Sequence, residues 1–250
     1  MTQAAEPDST TQTNAPTASL MALWFAMLWP TVVTYLYFDL LHGRDPAWQS
    51  SVAGVGKLLQ FAFPLAYVLW KGRRSARLQK PSSNGLLVGA VFGIAVAMAM
   101  FGMYWGWLKH SDQFVSAADQ IREKISSLGW ITGPVPYIAL GTFYALCHSL
   151  LEEYYWRWFV FVEWKGYVPT WSAVLLSSMG FMLHHVLLLA FYFGWNSWLT
   201  YFCSAGVAVG GIAWAWLFQR SKSLYGPWLS HLLVDAAIFV IGFDVIRDTF

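Results

Sequence analysis

An all-α, polytopic transmembrane helix bundle is the fold class this sequence predicts, on three observations. Hydrophobic residues make up 57% of the chain and charged residues only 11%, where an ordinary soluble domain carries about 25% charged. Apolar runs long enough to cross a bilayer recur about seven times, or eight if one long run breaks. The 16 Trp, 12 Tyr and 18 Phe are more aromatic surface than a soluble core of this size needs, and interfacial belts account for part of the excess. Cys147 and Cys203 both lie in apolar segments, so neither a disulfide framework nor a thiolate metal site is indicated.

Residues 1–18 are rich in Thr, Ala, Gln and Pro and lack the basic residues a secretory signal needs, so they are read as a disordered tail. Residues 19–135 follow as N-terminal transmembrane helices plus a surface helix. The first span, about 19–41, contains Pro30, which is expected to kink it. The second, about 52–70, carries Pro64 and Lys57. Lys57 sits near the start of that span and is expected to snorkel to the interface.

Lys71–Lys80 then holds five positive charges in ten residues. Beside membrane spans such a run marks the cytoplasmic side, which is preferred here to nucleic-acid binding. Counting spans outward from it puts the N-terminus in the cytoplasm, with eight Lys and Arg in inside loops and five outside. An integral, multi-pass protein of the cell membrane is expected.

The third span, about 85–108, has Gly85 with Gly89, and Gly102 with Gly106, at the small-x-x-x-small spacing that lets helices approach closely. Within the polar stretch 109–134, Phe114, Ala118, Ile121, Ile125 and Leu128 recur at helical spacing opposite Asp119, Arg122, Glu123 and Lys124. That pattern predicts a short helix lying on the membrane surface. Residues 136–250 form the last unit, with spans near 136–162, 169–193, 197–218 and 224–246.

Ionisable groups inside this last unit are the functional signal. Each charge in a span costs about 2.5–3.5 kcal/mol on insertion scales, so a chain that keeps one needs it or pairs it. Glu153 and Arg157 are four apart and share a helix face, so they are expected to pair. Glu152 points about 100° away and finds no partner on its own helix by that spacing. Phe181 and His185 share a face in a later span, with His184 a face away, and His231 and Asp235 share one in the last. A lone histidine here would read as a buried, hydrogen-bonded residue. Five or six ionisable groups on three spans instead suggest one site assembled by the bundle.

In order and spacing, Glu-Glu-x-x-x-Arg at 152–157, Phe-x-x-x-His at 181–185 and His-x-x-x-Asp at 231–235 resemble the CPBP (Abi) family. That family comprises CAAX-processing and bacteriocin-processing intramembrane endopeptidases. The resemblance covers roughly residues 136–246 and leaves residues 1–135 unmatched. It implies a catalytic core in the last four spans, and a membrane-associated or lipid-anchored peptide or protein as substrate. It also implies that Glu152 and His185 hold the water. Asp235 stands where the family has Asn or Asp; His184 falls outside the pattern, and neither Cys147 nor His148 is a landmark.

Peptide hydrolysis needs an activated water, an oxyanion stabiliser and an acid for the leaving amine. Glu152, unpaired in a low-dielectric setting, suits the base; His185 would help hold the water or donate to the oxyanion. His231, oriented by Asp235, is a second such group, while the Glu153–Arg157 pair is expected to be structural. Glu152, His185 and His231 would also serve as a His₂-carboxylate zinc site, although no His-Glu-x-x-His occurs. A metal-free, glutamate-type mechanism is the preferred expectation. The rival readings are an ion- or proton-coupled transporter, which would use the same midplane groups, and a non-catalytic relative that binds a peptide without cutting it.

Overall fold

Seven helices long and apolar enough to cross a membrane run through the described residues, and no strand occurs among them. The computed structural model describes residues 18–71 and 78–250. The tail over residues 1–17 and the greater part of the basic loop, residues 72–77, lie outside the described residues. The spans are α1 (Leu20–Leu40), α2 (Pro46–Trp70), α3 (Ser83–Gly106), α5 (Pro134–Trp164), α6 (Thr170–Phe193), α7 (Trp198–Ser221) and α8 (Tyr225–Ile246), with the shorter α4 (Asp112–Ser127) between α3 and α5. No long run breaks, so no eighth span appears among the described residues.

Local chemistry explains most helix starts. Ser19, Asp45, Ser82, Ser111 and Ser197 each accept a hydrogen bond from a backbone N–H in the first turn that follows, satisfying donors that the helix itself leaves free. Asp45 with Pro46 starts α2 six residues earlier than hydropathy alone suggested. Lys57 is therefore three turns inside its span rather than close to an end, and the snorkelling expectation loses its basis.

Packing assigns the glycines unequally. A Cβ on Gly89 would strike the backbone of Gly226, and one on Gly93 would sit 2.9 Å from the carbonyl oxygen of Ser230. These two glycines let α3 lie against α8 backbone to backbone, one residue before His231. The Gly102 and Gly106 positions have open space around them, so that second small-residue pair makes no helix contact. Elsewhere α6 closes on α7 through Gly211 against Ser178, and on α5 through Gly180 against Trp156.

α1 is tied to the basic end of α5. Tyr155 donates to the Ala26 carbonyl at 2.6 Å, Trp164 donates to Met27 Sδ at 2.9 Å, and Glu163 Oε2 accepts from the Ala18 N–H at 2.8 Å. Around these contacts Tyr155, Trp156, Phe159, Phe161, Phe181, Trp214 and Phe218 form the main buried cluster. α4 corrects an expectation. Its apolar face, Phe114, Ala118, Ile121, Ile125 and Leu128, packs on Tyr104, Tyr137, Leu199 and Ile246. It therefore caps the bundle end opposite the basic loop instead of resting on lipid.

Candidate active site

Glu152 and Glu153 lie on a short α-helical stretch, Ser149–Glu153, between π-helical turns at Tyr144–His148 and Tyr154–Phe161. Turns of this kind are frequent at functional sites because they re-aim side chains within a helix. Both glutamates are buried, and each faces a different set of partners.

Glu153 is the centre of a polar chain running through the core. Its Oε2 lies 3.1 Å from Arg157 Nε, and its Oε1 accepts from His231 Nδ1 at 2.8 Å. The guanidinium of Arg157 stands over the Phe181 ring at 4.9 Å and the Trp214 ring at 5.1 Å, and donates to the Gly211 carbonyl at 3.4 Å. A desolvated cation against aromatic faces gains from the ring quadrupoles. Trp214 also stacks on His231, centroids 4.1 Å apart, while its indole N–H donates to Ser230. Glu153 thus holds both the arginine and the histidine. Sequence spacing assigned the orientation of His231 to Asp235, whose Oδ1 is 3.6 Å from Nε2, beyond a good hydrogen bond.

Glu152 faces three imidazoles. His148 Nε2 and His184 Nε2 each lie 3.8 Å from its Oε1, and His231 Nε2 lies 3.7 Å from its Oε2. The expectation that Glu152 has no partner on its own helix does not hold. His148 stands one turn before it, in the direction opposite to the one that pairs Glu153 with Arg157. His184 is likewise brought to Glu152, although it lies a face away from Phe181 and His185. Its ring lies parallel to Trp156, centroids 6.0 Å apart, and is 5% exposed. The signal for both was present in the sequence, as imidazoles within one helical turn of residues already singled out.

His185 makes no contact of ion-pair length with Glu152 in this arrangement. Its ring packs on His184 at 4.1 Å and on Phe181 at 4.8 Å. Its Nδ1 is 2.9 Å from the Phe181 carbonyl oxygen. A carbonyl only accepts, so Nδ1 carries the proton and Nε2 is left with its lone pair. The Phe-x-x-x-His spacing therefore does chemical duty, since the backbone of the first residue sets the tautomer of the last.

An apolar groove of about 390 Å³ runs between α5 and α8 toward this cluster, lined among others by Gly141, Ala145, Ala236 and Phe239. The next turns along the same two helices bring His148 on α5 and Asp235 on α8. Tyr144 bridges groove and site, with ring contacts to Phe239 at 5.5 Å and His148 at 4.8 Å. From Tyr137 to Leu146 the groove follows α5 for about 14 Å of helix axis. Among the described residues no group of three His, Cys, Asp or Glu side chains is arranged to hold a metal ion.

Residues 134–237, which contain all three motifs, match the family model described as type II CAAX prenyl endopeptidase Rce1-like. No curated protein and no solved structure matches the chain.

Proposed function

From the match of residues 134–237 to the Rce1-like type II CAAX prenyl endopeptidase model, consistent with the CPBP (Abi) resemblance, we propose that this integral membrane protein hydrolyses a peptide bond of a lipid-anchored substrate. The observation that carries the reading is the surroundings of Glu152. One buried carboxylate meets imidazoles from α5, α6 and α8, and an apolar groove lies along the neighbouring turns of α5 and α8.

The chemistry follows from the hydrogen bonds. A water between Glu152 and His185 Nε2 gives one proton to Glu152 as its oxygen attacks the scissile carbonyl carbon. His231, as an imidazolium with Nδ1 on Glu153, donates from Nε2 to the oxyanion, and Asp235 balances its charge. The carbon–nitrogen bond then breaks, and Glu152 returns its proton to the leaving amine. The apolar groove takes the lipid chain of the substrate, so the peptide is held by a part of the molecule remote from the reacting bond.

The test is a cleavage assay in liposomes with a prenylated CAAX-type peptide and the same peptide without lipid. The lipidated form should be cut at least about tenfold faster at equal low concentration, a difference of about 1.4 kcal/mol in transition-state binding. Equal rates would remove the groove from the substrate site. A folded protein that cuts no membrane-anchored peptide would overturn the endopeptidase reading. In the same reading the Lys71–Lys80 loop faces the cytoplasm. A cysteine introduced at Ser82 should then resist a membrane-impermeant thiol reagent added to intact cells, and labelling from outside would reverse the topology.

A further inference from the structure

Two ammonium groups converge on one amide oxygen at the end of the bundle that carries the basic loop. Lys165, the first residue after α5, donates to Gln219 Oε1 at 2.8 Å, and Lys222, the first residue after α7, donates to the same oxygen at 2.9 Å. Their nitrogens are therefore less than about 6 Å apart. Among the described residues no carboxylate lies within ion-pair distance of either lysine, or of Arg220 between them in the chain. The Gln79 N–H donates to the Lys222 carbonyl at 2.8 Å, which moors the end of the basic loop at the same place. Burial pulls the Lys165 ammonium below the ordinary lysine range, and burial together with the neighbouring Lys165 charge does the same to Lys222.

Helix C-termini favour cations, yet both ammoniums are directed to the Gln219 side chain instead of the last carbonyls of α5 and α7. The backbone adds a second, independent sign. Lys222 is left-handed, with φ +53°, and among the described residues no other non-glycine has a positive φ. Glycine is the usual residue at that position after a helix, because it meets no Cβ penalty there. A lysine kept there sets its side chain beside Lys165 at a cost to the backbone, and such costs cluster where a ligand is held. The level of the pair in the membrane is also fixed. α6 and α8 start within a few residues of it, and their first turns expose Trp171 and Tyr225, rings of the kind that mark the headgroup plane.

We propose that Lys165 and Lys222 bind the phosphomonoester headgroup of an anionic phospholipid of the phosphatidic acid type, which clasps the ends of α5 and α7 together. Each ammonium has three donors and spends one on Gln219, so donors remain for a shared anion. A phosphate monoester carries about 1.5–2 negative charges at pH 7 and three strong acceptor oxygens, enough to answer two cations. A phosphodiester headgroup carries one charge and answers only one of them. Hydrogen bonds between ammonium and phosphate are charge-assisted and stronger than neutral ones. A phosphate ester dissolved in water shares that chemistry and is the competing source. The position of the pair in the headgroup plane favours the lipid, whose acyl chains then lie along the spans.

Binding is read by native mass spectrometry of the full chain in detergent, titrated with phosphatidic acid, phosphatidylglycerol or phosphatidylcholine bearing the same acyl chains. Phosphatidic acid should bind about tenfold more tightly than phosphatidylglycerol, on the scale of one further hydrogen bond to a charged group. Lys165→Gln should bring phosphatidic acid down to the phosphatidylglycerol level, whereas Lys71→Gln, which removes a charge at the same end of the bundle but outside the pair, should leave the preference intact. Lys222→Gly is the variant that guards against misfolding, because glycine suits the left-handed backbone. Without lipid its thermal unfolding should be no lower than that of the parent chain, and its preference for phosphatidic acid should be gone. Equal affinity for phosphatidic acid and phosphatidylglycerol would overturn the proposal, as would a preference that survives in both Lys165→Gln and Lys222→Gly. Glycerol 3-phosphate that binds as tightly as phosphatidic acid would assign the pair to a soluble phosphate ester and overturn the lipid site.

Discussion

Glu153→Gln is expected to deplete the protein from the membrane as well as to end its activity. The substitution strips Arg157 of its counter-ion in a position only 2% exposed and weakens the acceptor of the His231 ring. Breaking a buried pair by removing one partner typically costs about 3–5 kcal/mol, a large share of the 5–15 kcal/mol that holds an ordinary domain together. Yield in the membrane fraction and thermal unfolding in detergent should both fall. The double substitution Glu153→Leu with Arg157→Leu removes both charges together. It should restore yield toward normal while turnover stays lost, because His231 then has no carboxylate on Nδ1. A Glu153→Gln protein that is abundant and stable but inactive would show that the pair does not support the fold.

Glu152→Gln should behave in the opposite way. It keeps the shape of the side chain and removes the base, so turnover should drop by about 10²-fold or more, within the range of general acid–base contributions. Yield should hold, since the neutral amide is less costly to bury than the carboxylate. His184→Ala is the informative companion. Spacing alone puts its ring off the motif face, where its loss would be mild. The 3.8 Å approach to Glu152 instead predicts a loss of turnover comparable with that of His185→Ala. Full activity in a well-expressed Glu152→Gln protein would mean that Glu152 is not the base. Full activity in His184→Ala would restrict the working histidines to His185 and His231.

What the sequence disclosed follows from what helical spacing can carry. Seven apolar runs gave seven spans, and the Glu153–Arg157 pairing needed only the knowledge that residues four apart share a face. The contacts between helices were another matter. Gly85 with Gly89 and Gly102 with Gly106 have identical spacing, yet Gly89 meets α8 and the second pair meets open space, because spacing does not say where a neighbour lies. Heptad-like periodicity in α4 marked an apolar face without saying whether lipid or protein would cover it. Lys57 was misjudged for a simpler reason. Hydropathy starts a span at its first apolar residue, whereas Asp45 and Pro46 start the helix two turns earlier.

The division of partners around the two glutamates has a consequence for how the chain is made. α5 is synthesised before α6 and α8, so its carboxylates reach the membrane ahead of His184 and His231. During that interval the groups on α6 and α8 are absent, and each glutamate has one partner on α5 itself: Arg157 a turn after Glu153, and His148 a turn before Glu152. The most polar span of the protein thus carries its own temporary cover through biogenesis. The later helices then complete a set of contacts that the nascent helix has already begun.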